Sequence, residues 1–133
     1  MKKTISILAI ALTLLTAMSC KKEAGEGGNS TITGKIWAKK YNNTFTVITS
    51  EGVGKDVNVY IIYGDELSYG NKVATNPDGV FEFPYLRPGK YKVYAYSKTL
   101  TSTNPNGKVE VMVEVEITKK KQKIDVGTLT VNI

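Results

Sequence analysis

The chain has 133 residues, no histidine and one cysteine, Cys20. Those absences remove most of the chemistry open to a small protein. No Ser-His-Asp or Cys-His relay can be assembled, and no His/Cys zinc site. A single cysteine closes no internal disulfide. No stretch beyond the first twenty residues has a helical period. No D-x-[DN]-x-[DN]-G loop occurs, and Asp56, Asp65, Asp78 and Asp125 are scattered, which argues against calcium. No metal or organic cofactor is expected. What remains for acid–base chemistry is carboxylates alone, and their placement is poor. Asp65 and Glu66 are adjacent, so in extended chain they point apart. Glu110, Glu114 and Glu116 read as the wet face of a strand.

What is present starts at the N-terminus. Lys2 and Lys3 precede an apolar run over residues 5–17, and Ala17-Met18-Ser19-Cys20 closes it with small residues. The run is shorter than the ~20 residues of a membrane span. A basic start, a short apolar run and a small-residue exit are the marks of a cleaved signal peptide. A cysteine at the cut reads as the acylation point of a lipoprotein, which also disposes of a lone thiol in an oxidising compartment. Ala17 stands where bacterial lipoboxes commonly carry Leu, so the box resembles the looser ones of Bacteroidetes lipoproteins. The expected organisation is a signal peptide over residues 1–19, a flexible lipid-anchored tether over 20–30 (KKEAGEGGNS after Cys20, Gly-rich and polar), and one domain over 31–133. The expected location is the cell envelope, on the outer membrane, with a palmitate-type anchor strong enough for stable attachment.

Charge excludes one partner class. The whole chain carries +6, and the loss of Lys2 and Lys3 with the signal leaves +4. Much of that sits in Lys119-Lys120-Lys121-Gln122-Lys123, which fits a solvated hairpin turn better than a nucleic-acid site. Attraction of such a run to anionic lipid or polysaccharide is nonspecific.

The domain reads as strands. Seven short alternating runs are separated by turn residues, the pattern of an all-β sandwich or barrel. They cover residues 31–40, 57–63, 72–75, 79–83, 90–97, 109–117 and 124–133. A further short strand fits residues 45–49. In the sixth run Val109, Val111, Val113, Val115 and Ile117 alternate with Glu110, Met112, Glu114 and Glu116. In the last, the apolar phase slips from even to odd positions at Gly127, which predicts a β-bulge. Asn76-Pro77-Asp78-Gly79, Arg87-Pro88-Gly89 and Asn104-Pro105-Asn106-Gly107 are turns.

The stretch from Asn76 to Val93 (NPDGVFEFPYLRPGKYKV) resembles the pattern D/N-x-x-G-x-F-x-F-x-x-L-x-P-G-x-Y-x-V of carboxypeptidase regulatory-like domains and their transthyretin-like relatives. Thr33-Gly34-Lys35-Ile36, residues 54–61 (GKDVNVYI) and residues 126–131 (VGTLTV) are similar to that family's flanking segments. The resemblance implies a seven-stranded antiparallel Greek-key β-sandwich over roughly residues 31–132. It implies no activity. Transthyretin-like hydrolases and the metallocarboxypeptidases that accompany regulatory domains both depend on histidines, which are missing. Related adhesin sandwiches carry an internal Lys–Asn isopeptide bond. Lys35 and Asn132 stand on the right strands, but Tyr94-Ala95 stands where the required acid would be, so no such bond is expected.

Binding is the remaining option. With Val57, Val59, Ile61, Tyr91, Val93 and Ala95 inward, Tyr60, Ile62, Tyr94, Tyr96 and Met112 face outward, together with Trp37 on the first strand. In transthyretin-like topology the second, fifth and sixth of these strands share a sheet, so these side chains would form one exposed patch. Tyr60, Tyr94, Tyr96, Met112 and Trp37 are therefore the candidate ligand-binding residues, and Cys20 is the lipid-attachment residue. Tyrosine suits contacts with protein or sugar. The expectation is a non-catalytic envelope lipoprotein, an adaptor or binding module for protein or glycan. Two other readings stay open: a structural spacer or self-associating module whose tyrosines only stabilise the sheet, and a carboxylate-based hydrolase.

Overall fold

The computed structural model describes residues 23–133. The signal peptide, Cys20 and the start of the expected tether lie outside the described residues. Eight strands form two four-stranded sheets: β1 (Glu26–Tyr41), β2 (Ile48–Val53), β3 (Asn58–Tyr63), β4 (Asn71–Ala74), β5 (Val80–Leu86), β6 (Gly89–Lys98), β7 (Lys108–Ile117) and β8 (Lys123–Asn132). In the first sheet β1 has β8 along one side, while β5 and β2 share the other. The second sheet runs β4-β3-β6-β7. The chain is an all-β sandwich, as its alternating runs and turns predict. The strand count is eight rather than seven. The extra strand is β2, which lies slightly later than the predicted 45–49. Residues before it are held in a tight turn, where Asn42 Oδ1 accepts the N–H groups of Thr46 (2.9 Å) and Val47 (3.2 Å).

The sandwich is not wholly antiparallel. β1 and β8 pair parallel over Thr31↔Lys123 to Lys39↔Asn132. Parallel neighbours need a long crossover, and here the whole chain between first and last strand supplies it. The predicted bulge is in this pair: Thr33 faces Asp125 but Lys35 faces Thr128. Gly127 takes φ 83° there, and its N–H donates to Asp125 Oδ1 at 2.8 Å. That accounts for the slip in apolar phase along β8. Lys35 is exposed on the outer face, and Asn132 pairs with Lys39.

The core lies between the sheets. Ile32, Ile36, Val59, Ile61, Phe81, Phe83, Leu86, Tyr91, Val93, Ala95, Ile117, Leu129 and Val131 form one buried cluster. Gly34 falls on the inward phase of β1, where an added Cβ would come within 2.4 Å of the Phe81 ring. Its missing side chain is the space that ring fills. At the β4–β5 turn, Asn76 Oδ1 accepts the N–H of Asp78 (3.0 Å) and of Val80 (2.9 Å), and Gly79 takes φ 76°. Side-chain acceptor and permissive backbone together make this corner.

The domain begins earlier than residue 31. Gly25 donates its N–H to Tyr91 Oη at 2.9 Å, and its carbonyl accepts from the Arg87 N–H at 2.9 Å and from the Tyr91 hydroxyl at 3.2 Å. Glu26 and Ser30 both pair with Leu86. Composition gave residues 24–30 the look of a free tether, but their glycines serve close approach instead. A Cβ on Gly28 would lie 2.1 Å from the Leu86 carbonyl oxygen.

Candidate functional site

The outer face of the second sheet carries the tyrosines. The β3–β6 register sets Tyr60 opposite Tyr94, β6–β7 sets Tyr94 opposite Met112, and β3–β4 sets Tyr60 opposite Lys72. One row, Lys72–Tyr60–Tyr94–Met112, thus crosses all four strands. Tyr96 lies two residues on, opposite Glu110. Period-2 alternation puts these side chains outward because their neighbours Val59, Ile61, Val93 and Ala95 are fully buried inward.

The rings are organised, not scattered. Tyr60 stacks on Tyr94 with centroids 5.1 Å apart and planes 14° apart. Tyr96 meets both edge-on, at 5.6 Å from each. Tyr69, from the β3–β4 loop, closes over Tyr60 edge-on at 5.0 Å. Lys108 Nζ sits 5.3 Å from the Tyr96 centroid, at cation–π range. Such pairs add about 0.5–1.5 kcal/mol each beyond area burial, so the cluster is held in place before any ligand arrives.

Two sequence expectations about this face change. Tyr94 faces outward but is only 6% exposed, because Tyr60 and Tyr96 cover it. Its burial, with the Tyr96 hydroxyl nearby, pushes the phenol up to about 12. It supports the patch rather than meeting solvent. Trp37 is on β1, half-buried, opposite Val53 and Thr130 in the first sheet. It faces away from the tyrosines and does not join them. The residue that sequence reasoning missed is Tyr69. No alternation marks it, since it lies in a loop. Its position follows from Gly70, whose N–H donates to the Ile61 carbonyl at 2.8 Å and where a Cβ would strike the Tyr63 ring at 2.1 Å. That close approach folds the loop back over the sheet.

The exposed members are therefore Tyr69 (48%), Tyr96 (41%) and Met112 (40%). Beside Tyr96 lies an open groove lined by Tyr96, Asn104, Asn106, Lys108, Val109 and Glu110. The turn that supplies the two asparagines is set by its own bonds. Asn106 N–H donates to Asn104 Oδ1 at 3.1 Å, Gly107 N–H donates to the Asn104 carbonyl at 2.8 Å, and Gly107 takes φ 66°. A second, more apolar depression adjoins it, sharing Tyr96, Asn106 and Lys108 and reaching Phe45, Thr101 and Ile133. Tyr96, Asn106 and Lys108 are thus common to both hollows.

The carboxylates take a different arrangement. Glu110, Glu114 and Glu116 stand along the exposed face of β7, opposite Tyr96, Lys92 and Lys90. Among the described residues no group of three or more Asp, Glu, His or Cys side chains comes together as a metal site. The chemistry assembled here is aromatic faces, amides, one ammonium and one carboxylate, which is recognition chemistry.

A family model matches residues 31–127, that of the second beta sandwich domain of BOS complex subunit NOMO1-like proteins. The chain belongs to that family. The match covers every strand from β2 to β7, most of β1 and the first half of β8, so the tyrosine face is part of the family domain and not an appendage. The likeness to carboxypeptidase regulatory-like and transthyretin-like domains holds at the level of the β-sandwich. Among solved structures, a candidate carbohydrate-binding protein from Pseudomonas aeruginosa is similar at 12% identity, with a TM-score of 0.48, over 80% of this chain and 91% of that chain. No curated protein matches.

Proposed function

We propose that this protein is a non-catalytic binding module of the cell envelope, anchored through Cys20, which holds a glycan on the tyrosine face of its second sheet. The observation that carries the reading is the pre-stacked cluster of Tyr60, Tyr69, Tyr94 and Tyr96 beside the Asn104–Asn106–Lys108–Glu110 groove. Aromatic rings accept the C–H faces of a sugar. Asparagine amides both donate and accept, the ammonium donates and the carboxylate accepts, which together suit a ligand dense in hydroxyls. A face already rigid loses little conformational freedom on binding. A protein partner is the second reading. Met112 favours it, because a flexible, exposed thioether at the end of an aromatic row suits an adaptable protein contact.

The test is a glycan-array screen of the chain from Cys20 onward, compared with Tyr69→Ser, Tyr96→Ser and Asn106→Ala variants. Glycan capture that falls about tenfold or more in the Tyr96→Ser variant supports the proposal, since one removed contact of about 1.4 kcal/mol is tenfold. Capture indifferent to all three changes refutes this face as the site. Loss only in an envelope pull-down, with no glycan captured, transfers the face to a protein partner.

A further inference from the structure

We propose that the end of the sandwich opposite the Tyr96 groove is a membrane-apposed surface that rests on anionic lipid headgroups through Lys119, Lys120, Lys121, Tyr85 and Leu67. This goes beyond the ligand reading and rests only on the acyl-anchor reading of Cys20.

The chain path is the first observation. Ala24 and Gly25 are seated on the domain, the latter bonded to Tyr91 and Arg87. Ala24 also lies against Gly89, where an added Cβ would fall 2.6 Å from the Ala24 Cβ. Four residue steps separate Ala24 from Cys20. Fully extended, they span at most about 14 Å. An acyl group on Cys20 therefore brings this end of the domain close to the bilayer, whatever the intervening residues do.

The second observation is what this end displays. The β7–β8 connection is not the hairpin turn that the lysine run suggested. It is a corner between the two sheets, since β7 ends in the second and β8 begins in the first. It is tied to the N-terminal segment on both sides of β1's first turn of pairing. Lys121 N–H donates to Asn29 Oδ1 at 2.9 Å, Ser30 Oγ donates to the Lys119 carbonyl at 3.1 Å, and Gln122 N–H donates to Ser30 Oγ at 3.1 Å. Lys121 itself is held at φ 56°, a conformation lysine adopts only under constraint. The backbone that carries three adjacent exposed lysines is thus fixed next to the segment that leads to Cys20.

Apolar side chains accompany them. Leu67, in the β3–β4 loop at the same end, is fully exposed at 100%. Tyr85 is 71% exposed and also takes a left-handed φ of 61°, immediately before Leu86, which pairs with Ser30. Exposed leucine and tyrosine at the same end as a lysine cluster give an interfacial composition: ammonium at phosphate depth, tyrosine at the headgroup boundary, leucine below it. Asp65 and Glu66 directly precede Leu67 and line one hollow with Glu23, Ala24 and Lys90, so this end carries an acidic loop on the second sheet's side and the lysine corner, which closes into β8, on the first sheet's side. Lys98 and Lys108 mark the opposite end of β6 and β7, and they serve as the internal control.

Cys20 is the chain's only thiol, so the chain from Cys20 onward can be coupled through it to a maleimide lipid. The experiment is amine footprinting by mass spectrometry on vesicles of phosphatidylcholine with and without about 30 mol% phosphatidylglycerol, an anionic content that raises the surface potential on which lysine attraction depends. The expected result is labelling of Lys119–Lys121 slowed about threefold or more on anionic vesicles relative to the uncoupled chain, with Lys98 and Lys108 unchanged. Substituting Leu67→Ser with Tyr85→Ser is expected to restore much of the labelling. Uniform labelling of all lysines, or protection at Lys98 and Lys108 instead, overturns the proposal. Because coupling is chemical, the result does not depend on acylation in the cell. Fatty-acid labelling of the native chain and its Cys20→Ser variant tests that reading separately.

Discussion

Tyr94→Ser gives the sharpest check on the tyrosine face, because two views of it predict different things. If Tyr94 were an exposed contact residue, its loss would leave stability untouched. The structure instead buries it to 6% between Tyr60 and Tyr96. A buried aromatic side chain removes some 150–250 Å² from water, and at about 25 cal/mol per Å² that sets an upper bound of ~4–6 kcal/mol. The site opens to solvent on one side, so Tyr60, Tyr96 and Met112 can close part of the gap, and the expected cost is roughly 2–3 kcal/mol. With a urea slope of ~1.5 kcal/mol per molar for a chain of this size, the midpoint falls by about 1.3–2 M. Tyr96→Ser and Tyr69→Ser, which remove half-exposed rings, are expected to cost less than ~1 kcal/mol each. Urea unfolding followed by far-ultraviolet circular dichroism measures all three. A Tyr94→Ser midpoint within the scatter of Tyr69→Ser would refute the reasoning that the face is layered, with Tyr94 as its floor.

Alkaline pH addresses the same layering. The Tyr94 phenol and that of Tyr63, half-buried beside Glu26, are both pushed up to about 12. Burial also raises Tyr91. An acid whose folded pKa exceeds its unfolded one holds its proton more tightly when folded, so its contribution is fully present below pH 10 and is lost as pH rises from 10 towards 12. Thermal unfolding should therefore show a falling Tm across that window, with a shallower fall in Tyr94→Phe; equal slopes in both proteins would count against Tyr94 as a contributor. Gly28→Ala should detach the N-terminal segment from Leu86, costing about 1–3 kcal/mol and exposing the amides of residues 25–30 to hydrogen exchange. Unchanged exchange there would mean the close approach is not needed. Thr75→Val removes a buried hydroxyl that donates to the Gly54 carbonyl and accepts the Val57 N–H at 2.9 Å; a loss of ~1–3 kcal/mol in chemical denaturation is expected, and a loss below ~0.5 kcal/mol would show that water replaces it.

The strands were legible because their alternation is strict. The β7 run VEVMVEVEI states its period outright, and the Gly127 phase slip located a bulge to the residue. The outer face of the second sheet was legible for the same reason. The rest depended on information that no local pattern holds. Tyr94 and Tyr96 have the same phase and the same chemistry, and only the crowding of Tyr60 across the β3–β6 register separates a buried ring from an exposed one. Trp37 shares outward phase with the tyrosines, but sheet membership is a matter of topology. Tyr69 reaches the patch through a loop whose fold is decided by Gly70 packing on Tyr63. Residues 24–30 look like a linker because close backbone packing and free linkers draw on the same small residues; contact with Leu86, Arg87 and Tyr91, distant in sequence, distinguishes them.

The two proposed surfaces constrain each other through the geometry of β6. That strand starts at Gly89, against Ala24 and the path to Cys20, and ends at Lys98, beside the Tyr96 groove. Ten residues at about 3.3 Å each put roughly 30 Å between the two ends. A tether that can reach at most about 14 Å beyond Ala24 is too short to let the domain turn over freely on the membrane. With Cys20 acylated as proposed, the ends are not interchangeable: the side chains near Ala24 would meet the headgroups, and Tyr96 with its groove would be carried outward. A spacer would need neither the packed N-terminal segment nor an ordered tyrosine layer. A binding module held near a bilayer needs both, one to fix its orientation and one to keep the face rigid where a ligand can reach it.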